Sequence, residues 1–254
     1  TARTLWNNSQ TNEATEMFES GLKLRRELVA AMPDSVEIKN RLAVLLVDYG
    51  AIPLFNFQSE KALALYNEAF AIINELRGRD PENPDLKKSL TRLIRSQSKA
   101  KVAVGDFDGA VADLTMAVDL GKSLATQFPK DFRVQRAVWL TESIICEAYI
   151  DSSKTERTVG VCAPTIDFPA KALANEPENG VVAYDLAVSH FNLSRAYRLE
   201  GKIPQSIASG ERAVAVMTAL SGKEPDNNEY KRNIAAYETE VGRGELKLGR
   251  FDAA

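Results

Sequence analysis

Apolar residues recur along this chain at fixed distances from five prolines. Pro33, Pro81, Pro129, Pro177 and Pro225 stand 48 residues apart with no insertion or deletion between them. Counting from each proline, offsets 5, 9, 12, 16 and 19 read Ile38, Leu42, Leu45, Tyr49 and Ile52 in one copy, and Leu86, Leu90, Leu93, Gln97 and Ala100 in the next. The later copies read Val134, Val138, Thr141, Ile145 and Ala148, then Val182, Leu186, Ser189, Leu193 and Ala196, then Tyr230, Ile234, Tyr237, Val241 and Gly244. Steps of three and four place these residues on one face of a helix, which we term helix A.

At offset 24 the chain carries Gly105, Gly201 and Gly249, residues suited to the positive φ that ends a helix. A second helix, B, is predicted after each break. Its inward face carries Ala14, Phe18, Gly21, Leu22 and Leu28, then Ala62, Tyr66, Ala69, Phe70 and Leu76, then Ala110, Leu114, Ala117, Val118 and Leu124. The small residues let two helices approach closely. Self-similarity at a fixed period marks stacked supersecondary units that bury a continuous core between neighbours, and such arrays present a long surface rather than enclose a reaction.

Segments such as GDFDGA at 105–110 and GRFDAA at 249–254, each preceding a proline-opened helix pair or the chain end, resemble tetratricopeptide (TPR) repeats. The resemblance covers every copy. That family repeats every 34 residues, so each copy here carries a surplus that adds about two turns to each helix without changing which face points inward. The resemblance implies an all-α fold, a right-handed αα-solenoid or superhelix of antiparallel TPR-like helix pairs with about five repeats, forming a single domain over 1–254. DLAVSH at 185–190 and EPDNNEYKRNIA at 224–235 are similar to long-repeat arrays of bacterial signalling proteins, which implies attached signalling domains. Residues 1–8 align with the last turns of a helix A and the chain stops at Ala254 just inside a helix B, so a segment of a larger protein, or self-association through uncapped ends, is expected.

Two places depart from the pattern. Helix B of the middle copy, about 155–175, contains Gly160, Pro164 and Pro169, and interior prolines oppose an unbroken helix. In the second copy Gly50 and Pro53 are expected to end helix A early, leaving AIPLFNFQ as an apolar bridge that either packs on helix ends or forms a contact patch.

Composition narrows the function. A net charge of −3 over 254 residues gives no global attraction to nucleic acid or anionic membrane. No apolar run approaches the length of a spanning helix. Two cysteines are too few for a disulfide scaffold, so a reducing, cytoplasmic setting is the simpler expectation. Cys146 and Cys162 flank Ser153-Lys154 and could also meet across an antiparallel hairpin. Cys162 occupies a buried helix B offset and is read as core rather than nucleophile.

The candidate chemistry is electrostatic. The resemblance places a concave groove along helix A, at offsets 4, 7, 11, 14 and 15. In the copy opened by Pro81, Lys88, Arg92, Arg95 and Lys99 form one cationic stripe, with Asn40 and Arg41 on one side, Arg133 and Arg136 on the other, and Tyr184, Asn192 and Arg195 further along. Such a wall suits carboxylates, whose bonds to Arg and Lys are charge-assisted, and it resembles the carboxylate-gripping grooves of TPR co-chaperone adaptors. The opposing reading is a solvated face.

No catalytic motif appears in its required context. Gly121-Lys122-Ser123 lacks the upstream glycine of a phosphate loop, Met116 standing there instead. His190 is the only histidine, which excludes a histidine metal cluster. A one-base-per-repeat RNA reader would need a fixed reading position, yet offset 7 varies through Asn40, Lys88, Arg136, Tyr184 and Arg232. The expectation is therefore a non-enzymatic protein or peptide interaction module for an acidic or extended segment, with no cofactor, metal, nucleic acid or membrane. The alternative is a structural or regulatory array that positions attached domains or self-associates.

Overall fold

A computed structural model describes residues 11–152 and 155–250, and every element among them is helical. The expectations that rest on residues 1–8, on the Ser153-Lys154 turn and on the end at 251–254 lie outside the described residues. The chain packs as two compact units, Thr1–Thr141 and Glu142–Ala254.

The first unit contains α1 (Thr11–Ala31), α2 (Val36–Phe55), α3 (Ser59–Arg79), α4 (Pro84–Ala103), α5 (Phe107–Gln127) and the first half of α6 (Phe132–Asp151). Successive helices from α1 to α5 pack on one another, and helix A of one copy, α2, also packs on helix A of the next, α4. The second unit contains the rest of α6, a 3-10 turn at Thr155–Arg157, α7 (Thr158–Cys162), a second 3-10 turn at Ala163–Ile166, α8 (Asp167–Asn175), α9 (Gly180–Leu199), α10 (Ile203–Lys223) and α11 (Asn228–Lys247). There α9 packs on α10 and α11, and also receives α7 and α8. This is an all-α repeat of helix pairs, with helix A of 20 residues and unbroken helix B of 21, about 30 Å each. None of the residues at the five helix A offsets is exposed.

The 48-residue prolines have a local cause. Each stands second in a tight turn between helix B and the next helix A, closed by Ser35 N–H to Met32 O, Asn83 to Asp80, Asp131 to Phe128, Asn179 to Glu176 and Asn227 to Glu224, at 3.0–3.3 Å. Proline presets the φ that this turn position requires. Two residues on, Ser35, Asn83, Asp131, Asn179 or Asn227 accepts backbone N–H bonds from the first turn of the following helix. The period therefore repeats a turn and an N-cap together.

The A-to-B breaks repeat just as closely. Gly105, Gly201 and Gly249 have φ of 86°, 73° and 73°. Each donates to the carbonyl three residues back while its successor donates to the carbonyl five back, the Schellman ending of a helix. In the second copy Phe57 makes the same bonds at φ 59°. Helix α2 thus does not end at Gly50 or Pro53: it runs to Phe55 with Pro53 in its last turn, forgoing the one backbone bond a proline cannot make. The bridge is divided accordingly, with Ile52 and Pro53 buried, while Phe55 and Phe57 are 69% and 96% exposed.

The middle helix B is broken as its prolines require. Pro164 opens a 3-10 turn and Pro169 lies buried in the first turn of α8. Cys146 and Cys162 are bonded, with Cα atoms 4.9 Å apart and both side chains fully buried. Close approach of helices A and B at this register accounts for the bond.

Candidate functional site

In the first unit the cationic stripe meets a cleft of about 510 Å³ lined by Lys88, Thr91, Arg92, Arg95, Gly121, Leu124, Asp131, Arg133, Val134 and Ala137. Helix α4 presents Lys88, Arg92 and Arg95 because their spacing of four and three aligns them along one face. Helix α6 supplies Arg133 at its start, and α5 supplies the floor at Gly121 and Leu124. A second hollow of about 220 Å³, lined by Phe18, Val47, Asp48, Ala51, Arg92, Arg95 and Ser96, shares the two arginines.

The four cations are not equivalent. Arg92 pairs with Asp48 of α2. Lys88 is exposed, 3.6 Å from Asp85 and 5.3 Å from the centre of the Phe128 ring. Arg133 has an exposed side chain and no ion pair among the described residues. Arg95 is half-buried, and among the described residues its one hydrogen-bond partner is the Ala137 carbonyl, 3.1 Å from Nη1. Burial, followed by the charges of Arg92 and Arg136, pushes the Arg95 pKa down to about 10. A guanidinium beside Arg92 and Arg136, with no ion pair of its own among the described residues, is an electrostatic deficit that an anion would relieve. The Asp131 carboxylate in the same cleft is occupied capping α6.

The other expected site residues are scattered. Lys99 is exposed and does not line the cleft. Arg41 is exposed and paired with Glu37 one turn earlier in its own helix. Asn40 is half-buried with its Oδ1 unpartnered, and Arg136 is half-buried beside Arg95. In the second unit the Tyr184 hydroxyl donates to Glu229 at 2.8 Å and accepts from Asn233 at 3.3 Å. Arg195 pairs with Asp151 at 3.0 Å and lies over the Phe191 ring. Asn192 is only 2% exposed, inside the packing rather than on a wall.

Sequence reasoning missed Asp48, Ser96 and the apolar lining. Asp48 and Ser96 stand at offset 15, one of the groove offsets, so a search for acids as well as bases at those offsets would have found the partner of Arg92. Leu124, Val134 and Ala137 carry no such mark, being ordinary core-type residues at the cleft edge. Gly121-Lys122-Ser123 lies within α5 and forms no phosphate loop. His190 is half-buried with Nδ1 unpartnered, and burial, then Arg212, holds its pKa below the usual value.

Among the described residues no group of three or more His, Cys, Asp and Glu side chains is arranged to hold a metal ion. No described helix is long and apolar enough to cross a membrane.

The fold recurs in solved structures. BtubC (BKLC) from P. vanneervenii superposes with a TM-score of 0.70 at 18% identity, over 96% of this chain and 86% of that one. Two crystal structures of a putative kinesin light chain with nearly identical TPR-like repeats from Podosopora anserina match with TM-scores of 0.59 and 0.58, each at 18% identity. They cover 89% and 86% of this chain, and 93% and 92% of theirs. The chain has the fold of a TPR-like helical repeat. No protein-family profile matches it, and no curated protein is similar to it in sequence. At that identity the likeness to TPR-like structures speaks for the helical-repeat solenoid and for nothing finer.

Proposed function

We propose that residues 1–254 form a TPR-like interaction domain, non-enzymatic, that holds an acidic, extended protein segment against the helix A face of its first unit. The observation that carries this reading is Arg95: a half-buried guanidinium, crowded by Arg92 and Arg136, with a single carbonyl partner in a cleft that also holds Lys88 and Arg133. Carboxylates of a bound segment supply the missing counter-charge, and Leu124, Val134 and Ala137 give its chain an apolar bed. The low net charge of the whole chain, −3, makes this a local attraction. A purely structural array would have no use for an uncompensated arginine here, which favours binding over the positioning role.

The test is fluorescence anisotropy with two labelled probes, a hexaglutamate peptide and its glutamine counterpart. Exchanging Arg92 and Arg95 together for Glu is a poor choice, because Glu at 92 would face Asp48 and disturb the α2–α4 contact. Arg95→Gln and Arg133→Gln are cleaner. Loss of one charge-assisted contact should weaken hexaglutamate binding about tenfold to a hundredfold, with unchanged far-UV circular dichroism. Equal binding of both probes, or indifference to Arg95→Gln, overturns the proposal.

A further inference from the structure

Offsets 17 and 33 of the repeat face each other where helix A and helix B pack closely. In the second copy they are Gly50 and Tyr66, and a Cβ placed on Gly50 would lie 2.4 Å from the Tyr66 ring. In the copy opened by Pro177 they are Ser194 and Gly210, and a Cβ placed on Gly210 would lie 3.1 Å from the Ser194 hydroxyl and 2.6 Å from Val241. In the copy between Ser98/Leu114 and Ser194/Gly210 the same two offsets hold Cys146 and Cys162, which are bonded. The disulfide therefore occupies the point that the copies opened by Pro33 and Pro177 fill with a glycine and a larger or polar residue, and the copy opened by Pro81 with Ser98 and Leu114. The repeat geometry by itself brings the two thiols within bonding range.

This is also the copy whose helix B is in pieces. The other B helices are continuous over 21 residues, whereas residues 155–175 comprise two 3-10 turns and helices of 5 and 9 residues, with Pro164 in the turn at Ala163–Ile166 and Pro169 in the first turn of the 9-residue helix. Helices that short do not hold themselves in water, so this segment depends on what it is tied to. Hydrogen bonds tie it to α9 and its end, among them Val159 N–H to the Glu200 carboxylate at 2.8 Å and the Ser189 hydroxyl to the Thr165 carbonyl at 2.9 Å. The covalent tie is Cys162 to Cys146 on α6, at the centre of an apolar cluster with Ile150, Leu193 and Ala196. Val159, Val161, Ala163 and Ile166 of the segment pack around it.

We propose that the Cys146–Cys162 disulfide is a redox-sensitive fastening for residues 155–175, and that its reduction by a dithiol loosens this segment from α9 while the first unit stays folded. The step is thiol–disulfide exchange. A thiolate of the dithiol attacks one cysteine sulfur to give a mixed disulfide, its second thiol displaces that sulfur, and the dithiol leaves as its own disulfide. Two electrons pass to the protein, which gains two protons as Cys146 and Cys162 thiols. Both sulfurs are fully buried, so attack awaits local opening of the segment, and reduction is slow in the native protein and fast once the segment yields. Oxidised, the fastening holds Ile150, Leu193 and Ala196 covered; reduced, it leaves them covered by the noncovalent contacts of the short helices alone.

Limited trypsinolysis of the full chain, followed by mass spectrometry, tests this directly. Arg157 and Lys171 are exposed residues within the segment, and Lys101 and Lys122 lie in α4 and α5 of the first unit. Dithiothreitol should raise cleavage after Arg157 or Lys171 at least about tenfold, because the opened population rises when the cross-link is lost, and should leave cleavage after Lys101 and Lys122 unchanged. Cys146→Ala with Cys162→Ala should match the reduced protein and ignore dithiothreitol; if that variant does not fold, the reductant titration on the native chain stands alone. Equal cleavage of the oxidised and reduced forms overturns the proposal. So does a uniform rise at all four sites, or two titratable thiols in the denatured protein before any reductant is added.

Discussion

Phe57→Gly should stabilise the protein although it removes a large aromatic side chain. Phe57 holds the left-handed position of a Schellman ending at φ 59°, and its ring is 96% exposed, so deletion uncovers no core. Forcing a residue with a Cβ into that conformation costs about 1–2 kcal/mol. Glycine avoids this strain but adds freedom to the unfolded chain, an offset of roughly 0.5–1 kcal/mol. The net gain should be about 0.5–1 kcal/mol, or a rise of roughly 1–4 °C in Tm for a chain of this size. The structure contains its own control: Gly105, Gly201 and Gly249 make the same two backbone bonds at positive φ, and a Cβ on Gly105 or Gly201 meets no atom within 4 Å. Gly201→Ala should therefore cost about 1 kcal/mol through conformation alone. Both variants are read by denaturant unfolding followed by far-UV circular dichroism. A neutral or destabilising Phe57→Gly beside a destabilising Gly201→Ala would refute strain at Phe57 and mean that its ring makes a stabilising contact. Indifference of both would refute the conformational argument itself.

Two further outcomes follow from the packing. Gly50→Ala should destabilise by about 1–3 kcal/mol, since its Cβ would press on the fully buried Tyr66 ring, and a Tyr66→Leu background should recover part of the loss in the same unfolding assay. His190 is held below its usual pKa by burial and Arg212, so it stays neutral in the folded chain while the unfolded chain takes up the proton first. Its contribution is therefore fully present above pH about 6.5 and is lost as the pH falls below that value. It is the only imidazole in the chain, so His190→Gln should flatten the decline in stability between pH 7 and pH 5; parallel slopes for both proteins would refute the assignment.

Much of the fold was legible because the repeat is a local code. The proline of the tight turn, the Ser, Asn or Asp cap two residues later and the glycine at offset 24 each act through backbone geometry within a few residues. The inward offsets follow from helical pitch. Where sequence reading went astray, the cause was also specific. Pro53 does not end α2: it forgoes one backbone bond, and the ladder resumes beyond it, with Asn56 N–H donating to the Ile52 carbonyl. The cationic stripe was visible as a stripe, but the division of its members into paired Arg92, uncompensated Arg95 and outlying Lys99 depends on Asp48 and Ala137, 44 and 42 residues away in sequence.

By itself, then, the sequence determined the helix pairs, their register, their turns and the break at 160–169, all set by steric and hydrogen-bonding rules that act over a few residues. The tertiary structure alone decided which charges find partners, where a cleft opens and that Cys146 meets Cys162. Those outcomes depend on distances between helices, and such distances emerge only when whole side-chain surfaces pack against one another.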